Sequence, residues 1–140
     1  MINQKQLFAV LLAPIFWIGS AHAEVVVVVS AKSALTALSK DQVSDIFLGK
    51  SSTFPGGELA IPIDLSEGSA QRDEFHRTVT GRSANQLKAY WSKMVFSGRA
   101  TPPKEVPSQS DVKKIVATNP NTIGYVDKSA VDASVKVVFQ

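Results

Sequence analysis

Cysteine is absent from the 140-residue chain, which rules out a disulfide framework and any thiolate metal or redox centre. Histidine is nearly absent too, with only His22 and His76. No basic run interleaved with aromatics occurs, so the sequence lacks the usual footprint of a nucleic-acid partner. Long apolar runs are also missing. The longest, Leu7–Ile18, has twelve residues, well short of the roughly 20 that a spanning helix needs.

That run has another reading. Lys5 and the amino terminus precede it, and Gly19-Ser20-Ala21-His22-Ala23 follows it, ending in Ala-x-Ala. The pattern is that of a secretory signal cut after Ala23. Residues 1–23 are therefore expected to be a signal peptide and residues 24–140 one exported domain, in the periplasm of a bacterium, where disulfides are permitted but not required. Loss of Lys5 with the signal lowers the +3 formal charge by one, a slight bias toward small anions.

Val25–Val29 is five consecutive valines, the pattern of a strand covered on both faces, as central parallel strands are. Ser39-x-x-Gln42 and Ser83-x-x-Gln86 read as capping boxes, and Ser108-x-x-Asp111 as a third helix start. Leu59 to Leu65 alternates, and Pro62 places that strand at an edge or unpaired on one side at that point. Helices are expected from about Ser69 to Val79 and after Ser83, the latter turning Leu87, Tyr90, Trp91, Met94 and Val95 to the core. Residues 99–108 carry three prolines and read as an extended connector. Strands follow at 122–126 and 135–139. The order strand, helix, strand, three helices, strand, strand is that of an α/β layered domain.

Little in this chain invites catalysis. His76 reads as a solvated residue of an amphipathic helix, Asp73 and Glu74 diverge, no metal cluster is visible, and no Gly-x-Ser-x-Gly elbow occurs. No enzyme activity and no cofactor are expected. Gly124 beside Tyr125 fits either a close approach to the backbone or relief of crowding. The informative stretch is Ser66-Glu67-Gly68-Ser69, between a strand and a helix. Free N–H groups at a helix start, together with serine hydroxyls and a glycine, suit a phosphate-like anion. The same residues also make an ordinary helix cap, with Glu67 supplying the negative charge. The local pattern leaves both readings open.

Four stretches, LSKDQVSDIFLGK (38–50), GGELAIPIDLSEGSAQRDEF (56–75), AYWSKMVFSG (89–98) and NPNTIGYV (119–126), together resemble the phosphate-binding periplasmic proteins of ABC importers, in particular their second lobe and short stand-alone relatives. The resemblance implies a single lobe of a type II periplasmic-binding-protein-like fold, a mixed sheet flanked by helices. It also implies an anion loop at Ser66, Gly68, Ser69, Ala70 and Gln71, with Glu67 as its acidic residue. The family's loop arginine falls on Leu65, and Arg72 is the nearby cation that would replace it. Implied partners are inorganic phosphate or a similar oxyanion and an ABC permease. A homodimer or other partner would supply the wall that a second lobe gives in longer relatives. The alternative is an envelope interaction module that kept the lobe and lost the ligand.

Overall fold

The structure is a computed structural model that describes residues 13–15 and 24–140. All of the expected signal segment except Ala13–Ile15 lies outside the described residues. A five-stranded mixed sheet forms the centre, in the order β3-β2-β4-β1-β5. Its strands are β1 (Val25–Ser30), β2 (Ile61–Leu65), β3 (Lys104–Val106), β4 (Thr122–Asp127) and β5 (Val135–Phe139). The helices are α1 (Lys40–Phe47), α2 (Ala70–Phe75), α3 (Ala84–Phe96) and α4 (Gln109–Thr118).

The valine run is indeed a mid-sheet strand buried on both faces, but its direction differs from expectation. β1 runs antiparallel to both β4 and β5. Burial on both faces selects β-branched residues whichever way the neighbours run, so composition carried no directional information. The parallel pairs are β2 with β3 and β2 with β4. Pro62 faces β4 opposite Ile123, whereas β3 begins pairing only at Ile63, so the proline is paired on one side only. β3 itself lies within the stretch read as a connector. Three residues between prolines leave too short a pattern to mark a strand.

Adjacent residues of β4 hold the two helical layers. Gly124 faces α4, where an added Cβ would lie 2.5 Å from Val112 Cγ1, so its role is the close approach of helix to sheet. Tyr125, pointing the other way, stacks on Phe75 at 4.0 Å between centroids and lies 5.9 Å from Phe47, joining α2 and α1 to the sheet. The helix starts follow the sequence pattern: Ser39 and Ser83 form complete capping boxes, and Ser108 caps α4. The helix expected to reach Val79 is regular only to Phe75. It continues as a five-residue π-helical turn, His76–Thr80, and stops at Gly81 (φ 68°).

α3 stands apart from the main core. Its buried Leu87 and Trp91 pack with Leu48 in a small separate cluster, flanked by Tyr90, Met94 and Ala100. Val95, expected to face the core, is exposed. In the last turn Met94 alone faces the cluster, and Val95 and Phe96 point away from it. Among the described residues no helix is long and apolar enough to cross a membrane.

Candidate functional site

Strand β2 ends at Leu65, and the chain turns through Ser66–Ser69 into α2. Gly68 makes that turn possible: its φ of 92° is a region that side-chain-bearing residues rarely adopt. Ser66 is turned toward β3, its N–H and its hydroxyl both donating to the Val106 carbonyl, at 3.0 and 3.2 Å. Ser69 is the N-cap. Its hydroxyl oxygen accepts the Arg72 N–H at 3.3 Å, and its carbonyl accepts the Asp73 N–H. That arrangement leaves the first two helical N–H groups, those of Ala70 and Gln71, without an intrahelical acceptor. The Gln71 carboxamide is tied to α4 through Gln109 Oε1 at 3.2 Å.

Arg72 folds back to the strand end. Its Nη1 donates to the Leu65 carbonyl at 2.8 Å and pairs with the Glu105 carboxylate on β3. Burial works against the charge of this guanidinium, yet the hydrogen bond to Glu105 and the nearby Asp64 carboxylate outweigh it and raise its pKa above the ordinary value. A permanent cation thus lies against the strand end, with a carboxylate already on it.

Directly beneath, the sequence reading needs correction at His76. Far from being solvated, His76 is 1% exposed, and its Nε2 lies 2.8 Å from Asp64 Oδ2. An ionised Asp64 can only accept, so Nε2 carries the proton. Asp64 Oδ1 also accepts from the Tyr125 hydroxyl and, at 3.0 Å, from the Leu65 N–H. Burial and the adjacent Asp64 carboxylate push the Tyr125 phenol far above its ordinary pKa, so it remains a donor. Thr80 closes the far side, its Oγ1 3.4 Å from His76 Nδ1. The network binds β2, β4 and the π-helical turn together under the loop, and its Asp64 also lines the adjoining groove.

Of the residues singled out in the sequence, the fold brings Ser66, Gly68, Ser69, Ala70, Gln71 and Arg72 together at one junction. Sequence reading missed Glu105, Asp64, His76 and Tyr125 as neighbours of it. An aspartate closing an apolar strand was the one local signal for Asp64; nothing local marked Glu105. Beside the junction a groove of about 550 Å³ runs between α3 and the 102–105 segment, with Arg72 and Glu105 at one end and Trp91, Val95 and Phe96 along its wall. Among the described residues no three His, Asp or Glu side chains converge as a metal-binding group.

No protein-family model matches the chain, and no curated protein matches it either. Solved structures do. A protein of Clostridium perfringens described as a phosphate ABC transporter substrate-binding protein, with bound phosphate, superposes with a TM-score of 0.66 at 24% identity over 81% of this chain. An ABC-type phosphate transport receptor of Vibrio cholerae gives 0.64 at 20% identity, also over 81%, and PstS of Borrelia burgdorferi gives 0.62 at 11% over 82%. The chain spans only 43%, 44% and 46% of those three chains. In fold, this chain is similar to part of the phosphate-type substrate-binding proteins of ABC transporters, and its single mixed sheet with flanking helices fits that partial coverage.

Proposed function

We propose that this chain is an exported, periplasmic binding lobe for phosphate or a similar small oxyanion, without catalytic activity, that works alongside an ABC phosphate permease. The anion sits at the β2–α2 junction, against the N–H groups of Ala70 and Gln71, the Ser66 and Ser69 hydroxyls, the open backbone at Gly68 and the Arg72 guanidinium. The supporting observation is Arg72. The resemblance left Leu65 where a loop arginine belongs, and Arg72 reaches back to that strand end, 2.8 Å from the Leu65 carbonyl. Similarity in fold to proteins described as phosphate binders supports the same reading.

Affinity is modest on physical grounds. A helix terminus contributes about 0.3–2 kcal/mol and a charge-assisted hydrogen bond about 1.5–3 kcal/mol, whereas micromolar binding needs about 8 kcal/mol. Glu105 lowers it further by competing for Arg72. Titration calorimetry with phosphate, with sulfate as competitor, tests the reading. Saturable heat is expected in the millimolar range or just below it. Glu105→Gln is expected to tighten binding about tenfold, since about 1.4 kcal/mol is a factor of ten, and Arg72→Gln to abolish it.

The same Arg72–Glu105 pair favours a second reading: the chain supplies its own anion, and the lobe is an envelope interaction module that no longer takes a ligand. Silence from both the wild type and Glu105→Gln at millimolar phosphate would decide for that module.

A further inference from the structure

We infer that the groove beside α3 is a self-association surface, on which a second copy of this chain seats its Phe96. Phe96 is 95% exposed and neighbouring Val95 54%, an unusual display of large apolar surface at the end of a rigid, fully capped helix. Both line the groove, and Trp91 from the small α3 cluster forms part of its wall. α3 is a 13-residue helix with only Leu87 and Trp91 buried, and Val95 and Phe96 at its end stand outside the cluster that holds them.

Charge identifies the occupant. The groove carries Lys88 on α3 and, on the β2, loop and β3 side, an excess of carboxylates: Asp64, Glu67 and Glu105, the last shared with Arg72. A face with one cation on one wall and a net negative charge on the other is complementary to itself under a two-fold rotation, which sets Lys88 of each copy toward Glu67 of the other. A purely anionic or purely cationic partner would meet an unmatched charge. The surface adjoins the anion junction but does not depend on the anion reading.

The test is the mass of the protein purified after expression of the full sequence, by sedimentation or light scattering at about 10–100 µM, where interfaces of ordinary size associate. A dimer is expected in phosphate-free buffer. Phe96→Ser should yield a monomer with an unchanged melting temperature, because Phe96 packs on nothing within the chain. Lys88→Glu should weaken association at least severalfold. As the chain has no cysteine, Ser92→Cys in the groove should give an oxidised covalent dimer, whereas Ser129→Cys on the exposed 128–130 turn should not. A monomeric wild type overturns the proposal and leaves the groove to another protein or a small ligand. A dimer indifferent to Phe96→Ser and Lys88→Glu overturns it as well, by placing the interface elsewhere. The anion reading is judged by phosphate heat, so either proposal can fail without the other.

Discussion

Removing the Asp64 carboxylate would leave two buried donors without their acceptor at once, the Tyr125 hydroxyl and the His76 Nε2–H, while the Leu65 N–H would keep the Tyr125 hydroxyl oxygen at 3.1 Å. Each unsatisfied buried group costs about 1–3 kcal/mol, and breaking a buried charged pair about 3–5 kcal/mol. Asp64→Ala is therefore expected to lose at least about 3 kcal/mol in urea unfolding, more than removal of the exposed Asp73 carboxylate would. Tyr125 adds a pH dependence whose sign follows from its raised pKa. The unfolded phenol ionises near its ordinary 10.0, while the folded one keeps its proton. Above that pH the folded state binds more protons than the unfolded one, so stability is full below pH 10 and declines above it. The melting temperature of the wild type should fall more steeply above pH 10 than that of Tyr125→Phe, which is itself less stable at neutral pH. Equal slopes would mean that the phenol is not shielded.

Between elements, the tightest constraint is the seat of α4 on β4. At Gly124 a Cβ would meet Val112 Cγ1 at 2.5 Å and Val116 Cγ2 at 3.3 Å, and both valines are fully buried. Gly124→Ala is expected to destabilise by about 1–3 kcal/mol through overpacking, and Val112→Ala in the same chain to restore part of it, an interaction that a double-mutant cycle measures. What the sequence disclosed about elements follows the reach of the forces involved. The caps at Ser39, Ser83 and Ser108 were legible because a capping hydrogen bond spans three residues. The direction of β1 was not, because it is set by partners about a hundred residues away at 122–127 and 135–139. His76 was misjudged for the same reason: a histidine beside Phe75 on an amphipathic helix is buried only if a carboxylate elsewhere receives it, and Asp64 stands 12 residues away on another element. At the candidate site, the Ser66–Ser69 loop and its Gly68 were local and visible, whereas the Arg72–Glu105 contact that sets its electrostatics spans 33 residues.

For the whole molecule, the contacts of Glu24 and Val25 bear on export. β1 is paired on both sides, which keeps five valines from templating other chains. Pairing begins at Val25 opposite Asp127, and the Glu24 carbonyl accepts the Lys128 N–H at 2.8 Å. A cut after Ala23 would leave every one of these contacts in place. A cut even two residues later would remove the Glu24 contact and the first rung of the ladder. The cut that the Ala21-x-Ala23 pattern predicts is thus compatible with the hydrogen bonding of the sheet, which needs Glu24 and Val25. Intact-mass measurement on protein recovered from the periplasm of an expressing bacterium should therefore give the mass of Glu24–Gln140. Ala23→Arg should block processing and hold the longer precursor at the membrane. Recovery of the unprocessed 140-residue chain in the cytoplasm would remove both the signal and the periplasmic assignment, and with them the link to an ABC permease.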